Sequence, residues 1–87
     1  MKKGIIQEAD EIINGARRDD YGGAEESFTK IWIGWDIINQ SDIPGPEKVA
    51  LCMDWLKTCR YLNGRQRDSL VDKIGYVGCI EQIRGDL

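Results

Sequence analysis

Asp68 and Asp72 stand one helical turn apart, and Tyr76 continues their line by a further turn. Side chains four residues apart share a face of a helix, so the two carboxylates could hold one divalent cation. Mg²⁺ suits such a pair, because it takes oxygen ligands and usually keeps waters that a phosphate can replace. Lys57 and Arg60 supply the opposite charge at neighbouring positions of an earlier segment, and Arg67 adds a cation just before Asp68. Lysine and arginine meet phosphate directly, so the acids and bases together describe a pocket for a phosphorylated ligand, with Mg²⁺ as cofactor. The plainer reading of the same spacing is solvated or capping aspartates and a set of salt bridges that only locks two helices together.

Other segments offer less. The loop Arg17-Arg18-Asp19-Asp20-Tyr21-Gly22-Gly23 combines charge, an aromatic ring and glycines ahead of a helix start, where free amides can take an anion. Asp20, Tyr21 and Gly22 are its candidate ligand residues, although Glu25 and Glu26 already occupy that helix dipole and favour a plain turn. Glu8 and Glu11 make a second carboxylate pair that reads as solubilising charge. The chain has no His, which excludes Ser-His-Asp and Cys-His catalysis, and no G-x-x-x-x-G-K-[ST] phosphate loop. Its three cysteines, Cys52, Cys59 and Cys79, show no CxxC spacing. Seven residues along a helix would separate Cys52 from Cys59 by about 10 Å, too far for a disulfide, so all three are expected as reduced packing residues.

Helices must position these groups. Ile5, Ile6, Ala9, Ile12 and Ile13 recur at helical spacing ahead of Gly15, which predicts a helix over 5–14. A second is expected over 24–39, with Glu25 and Glu26 in its first turn and Phe28, Ile31, Trp32, Trp35 and Ile38 in its stripe. Pro46 opens a third over 46–62, with Val49, Cys52, Met53, Leu56 and Cys59 inward and a left-handed cap at Asn63-Gly64. The fourth, over 67–84, runs through the apolar stripe Leu70, Val71, Ile74, Val77, Ile80 and Ile83. Gly75 and Gly78 inside it, each costing up to about 1 kcal/mol against Ala, point to a close helix contact or a ligand at the backbone. If the third and fourth helices form an antiparallel hairpin, Lys57 and Arg60 fall near Asp68 and Asp72. The expected fold is all-α, a compact four-helix bundle in one domain over 1–87.

Eighty-seven residues allow one domain, and 41% hydrophobic with 31% charged residues reads as globular. The net charge of −3 argues against nucleic-acid binding. Residues 1–40 carry five basic and eight acidic side chains against seven of each in 41–87, so the acidic excess lies in the first half. No signal peptide or membrane span is read, and a cytoplasmic location is expected. Three Trp are more than so small a core can enclose. Trp32, Trp35 and Trp55 are therefore candidate interface residues, and a homo-oligomer touching along the second helix is expected.

Two blocks carry a resemblance. Asp20-Tyr21-Gly22 followed by Glu26, Phe28 and Trp35, then Leu56-Lys57-Thr58-Cys59-Arg60 followed by Arg67-Asp68-Ser69-Leu70-Val71-Asp72-Lys73-Ile74-Gly75-Tyr76, resemble a small helical domain family of tailed phages and prophages. Its pattern is an R-x-x-D-Y-G loop, an apolar helix, a K-x-x-R helix and a closing H-R-D-S-x-x-D-x-x-G-Y helix. The chain departs from it with Gln66 in place of the histidine, and with Val77-Gly78-Cys79-Ile80 in place of an Ala-rich tail. The family is loosely similar to MazG-type nucleoside triphosphate pyrophosphatases, which hold Mg²⁺ with an E-x-x-E and an E-x-x-D pair. Glu8 and Glu11 imitate the first, whereas Asp68 and Asp72 have a different spacing from the second.

Two functions follow as expectations. One is a phage protein that binds a nucleotide or other phosphorylated ligand, sequestering it or hydrolysing it with Mg²⁺. The other is a phage-encoded inhibitor that blocks a host protein target, such as a defence nuclease, through its Trp residues.

Overall fold

The helical spacings of the sequence do form helices. The computed structural model describes residues 2–15, 17, 19 and 22–87. Among them the chain is all-α, with α1 at Ile5–Asn14, α2 at Ala24–Asn39, α3 at Gly45–Gly64 and α4 at Arg67–Arg84. Pro46 sits in the first turn of α3, where its missing amide hydrogen is not needed. The left-handed cap of α3 falls on Arg65, with φ 51°, rather than at Asn63-Gly64. Its amide donates to the carbonyl of Tyr61 at 2.7 Å and turns the chain into α4. Gly85, with φ 70°, caps α4 in the ordinary way.

The helices pack in sequence, α2 on α3 and α3 on α4. The α2–α3 seam is set by a glycine and two indoles. Gly34 is buried, and a Cβ there would lie 2.2 Å from the indole nitrogen of Trp55. The Trp55 ring fills the notch and donates from Nε1 to the Lys30 carbonyl at 3.0 Å. Trp35 reciprocates from α2, donating to the Cys52 carbonyl at 2.9 Å. Beyond the seam, Lys48 donates to the Asn39 carbonyl at the end of α2, where a cation complements the helix dipole.

Charge sets the α3–α4 seam. Lys73 donates to Asp54 at 2.6 Å and to the Thr58 hydroxyl at 2.7 Å, while Lys57 pairs with Asp72 at 3.0 Å. Each helix thus gives one acid and one base. The small residues Ala50, Cys59 and Ser69 are buried, and among the described residues Ile31 is the one larger side chain that is.

Several expectations are corrected. The fold is not a compact bundle: the radius of gyration is 15.7 Å, against about 12 Å for a compact chain of this length. Among the described residues α1 makes no packing comparable to the other seams, and none of its residues is buried. The apolar stripe of α4 is not its packed face. Ser69, Lys73, Tyr76 and Ile80 lie at or near the seam, whereas Leu70, Val71, Ile74 and Val77 are exposed, because the ion pairs fix the rotation of the helix. Gly75 and Gly78 meet no atom within 4 Å of a built Cβ, so the close helix approach lies at Gly34 instead. Trp35 and Trp55 are half-buried in the α2–α3 seam, where their N–H groups find backbone acceptors. Trp32 alone of the three is exposed, at 57%.

Candidate functional site

The turn at Arg65 folds α4 back along α3, and an open cleft of about 320 Å³ forms beside the turn. Lys57 and Arg60 line it from α3, and Asp68, Ser69 and Asp72 line it from α4. The four charged residues expected to meet at a hairpin therefore do meet. Gln66, at the start of α4, and Leu56 complete the wall, and Arg17 reaches it from the segment after α1. Arg17 and Gln66 were not among the expected ligand residues. Both had a signal, as the first letter of the loop motif and as the position where the family pattern has histidine.

Other expected residues fall elsewhere. Arg67 is exposed and Tyr76 half-buried, and neither lines the cleft, because the rotation fixed by Lys73 and Asp54 turns them aside. Gly22 is a turn residue with φ 79°, packed against the Glu26 carboxylate, and it too lies off the cleft. Asp20 and Tyr21 lie outside the described residues.

Among the described residues the cleft is lined by three cations, Arg17, Lys57 and Arg60, and by the carboxylates of Asp68 and Asp72. Lys57 and Asp72 largely neutralise each other at 3.0 Å. A metal shared by Asp68 and Asp72 would compete with Lys57 for Asp72, and among the described residues no three metal-ligating side chains gather. Glu8 and Glu11 do not line the cleft, and Glu11 pairs with Lys3 within its own end of the chain.

A second cleft, of about 400 Å³, abuts the first and is lined by Phe28, Ile31, Trp32 and Trp35 of α2. Leu56 and Arg60 of α3 wall both clefts. An aromatic compartment thus adjoins a polar, charged one across a shared arginine.

Burial pushes the thiols of Cys59 and Cys52 up, against the opposing pull of Lys30 and Arg60 on the first and of Lys48 on the second. Both therefore stay protonated and pack. Cys79 is exposed instead of packed, on an α4 face that no other helix covers. All three are free thiols.

What these observations define is an all-α domain with a two-part cleft on a helical hairpin. The chain belongs to the family described as a domain of unknown function, DUF6378, whose profile matches residues 4–84. It is similar to the Gene 55 protein of Mycobacterium phage L5, 40% identical over 81 residues that make up 92% of this chain and 52% of that protein. It is also similar to the Gene 55 protein of Mycobacterium phage D29, 34% identical over 84 residues, 95% of this chain and 55% of that protein. The chain thus spans about half the length of the curated relatives it matches. No solved structure matches it. The expected kinship with phage helical proteins holds, while the likeness to MazG-type pyrophosphatases draws no support from these matches. Among the described residues no helix is long and apolar enough to cross a membrane.

Proposed function

We propose that the two-part cleft binds a nucleotide, with the base against Phe28 and Trp32 and the phosphates against Arg17, Lys57 and Arg60. The observation that carries this reading is the shared wall of Leu56 and Arg60 between an aromatic compartment and a cationic one. A nucleotide has the same division, a flat ring at one end and anionic oxygens at the other. Mg²⁺ enters as the finer part of the proposal: held by Asp68 and Asp72, it would displace Lys57 toward the phosphate and make hydrolysis accessible.

A thermal-shift panel of nucleoside mono-, di- and triphosphates, with and without Mg²⁺, tests the reading. Binding should raise the melting temperature, and Arg60→Ala and Trp32→Ala should each abolish the shift. If no nucleotide moves the transition under either condition, the proposal is lost. The alternative of a surface inhibitor of a host protein needs exposed anchors, and Trp32 alone of the three Trp offers one. The ligand reading is therefore preferred.

A further inference from the structure

We infer that a second copy of this chain completes the fold, with α1 of each copy seated on the outer face of α4 of the other. The accessible surface is 6801 Å², about 1,600 Å² more than the roughly 5,200 Å² expected of a compact monomer of this mass. That excess on each of two chains falls within the range buried by obligate homodimers and well above the roughly 800 Å² per partner of an ordinary complex.

Exposed apolar side chains stand on every helix, and two of these faces are complementary. The α1 stripe sets Ile5, Ile6, Ala9, Ile12 and Ile13 on one side of a ten-residue helix, with Ile5 and Ile6 at 87% and 86% exposure. A helix of that length is marginal in water alone and holds its shape by packing on something. The outer face of α4 presents Leu70, Val71, Ile74 and Val77, with Ile74 at 75% exposure, and the bare backbone of Gly75 and Gly78 beside them. The helix is inverted relative to a monomer: its polar residues Ser69 and Lys73 face its own chain and its aliphatic residues face out. Glycines that cost helix stability and touch nothing in their own chain are accounted for if another helix comes close there. Reciprocal exchange of α1 between two copies closes both faces by one two-fold axis and leaves no open-ended contact. The inference stands apart from the nucleotide reading, since neither face lines the two clefts.

Sedimentation equilibrium of the full chain at micromolar concentration tests it. The expected mass is about twice the single-chain 9.9 kDa. The double variant Gly75→Leu/Gly78→Leu should sediment as a monomer while keeping its helical circular dichroism, because each new side chain enters open space within its own chain. Ile6→Glu, at a site exposed within its own chain, should also give monomer. Any of three results overturns the inference: a monomeric wild type, as when α1 folds onto its own α4 or a longer chain covers that face; a glycine variant that stays dimeric; or a dimer indifferent to Ile6→Glu, which would leave α1 out of the contact.

Discussion

Two seams hold α2, α3 and α4 together, and they work by different physics. Between α2 and α3 the contact is one of shape: a missing Cβ at Gly34 admits Trp55, and each of two indoles donates to a carbonyl of the opposite helix. Between α3 and α4 it is one of charge, with Asp54–Lys73 and Lys57–Asp72 crossing the seam in opposite senses. Packed shape tolerates no added volume but is indifferent to salt. Charge pairs tolerate conservative change, weaken as salt rises, and remain open to competition by a ligand. It is fitting that the polar cleft lies on the second seam.

The comparison is broken most sharply at Gly34. Gly34→Ala drives a methyl group into the Trp55 ring and should destabilise the chain by about 2–3 kcal/mol, measured by urea unfolding, with little change at high salt. Next in size is Lys73→Met, which leaves half-buried Asp54 without its cation. A loss of about 1–2 kcal/mol is expected, and the gap from wild type should narrow in 1 M salt, roughly three Å of screening length. If both variants respond alike to salt, the distinction between the seams is wrong.

Two smaller effects sharpen it. Arg65→Gly relieves a left-handed backbone that a side chain opposes, so it should gain about 0.5–1 kcal/mol without touching either seam. The smallest effect belongs to Cys59. Its folded thiol ionises at higher pH than an unfolded one, so its contribution is full below the ordinary thiol range and is lost as pH rises through the raised value. Melting curves should show the advantage of wild type over Cys59→Ala shrinking as pH climbs past that range.

The helix positions were legible because stripes and punctuating glycines and prolines act locally. Ile5–Asn14, Ala24–Asn39 and Arg67–Arg84 follow their patterns. The rotation of α4 was not legible, since it depends on Lys73 reaching Asp54 on another helix, and an apolar stripe reads the same whether it faces its own chain or not. Gly34 was hidden for a similar reason: only its pairing with Trp55, twenty-one positions on, gives it a role. In the site, Lys57, Arg60, Asp68 and Asp72 were legible from turn spacing plus a hairpin. Arg17 carried a motif signal but could not be placed, because nothing in its own segment shows that it comes to lie against the distant α3–α4 hairpin.

α3 is flanked on both sides, by α2 and by α4, and every residue from Ala50 to Tyr61 is at least partly covered. That central stretch has few free positions at which sequence drift is cheap. Random substitution should therefore be tolerated unevenly, with α3 the least permissive stretch in a mutational scan. A change that shifts it would move the walls of both clefts together, since Leu56 and Arg60 belong to each. Recognition of the two ends of a ligand would then be inherited as one trait, lost or altered together rather than piece by piece.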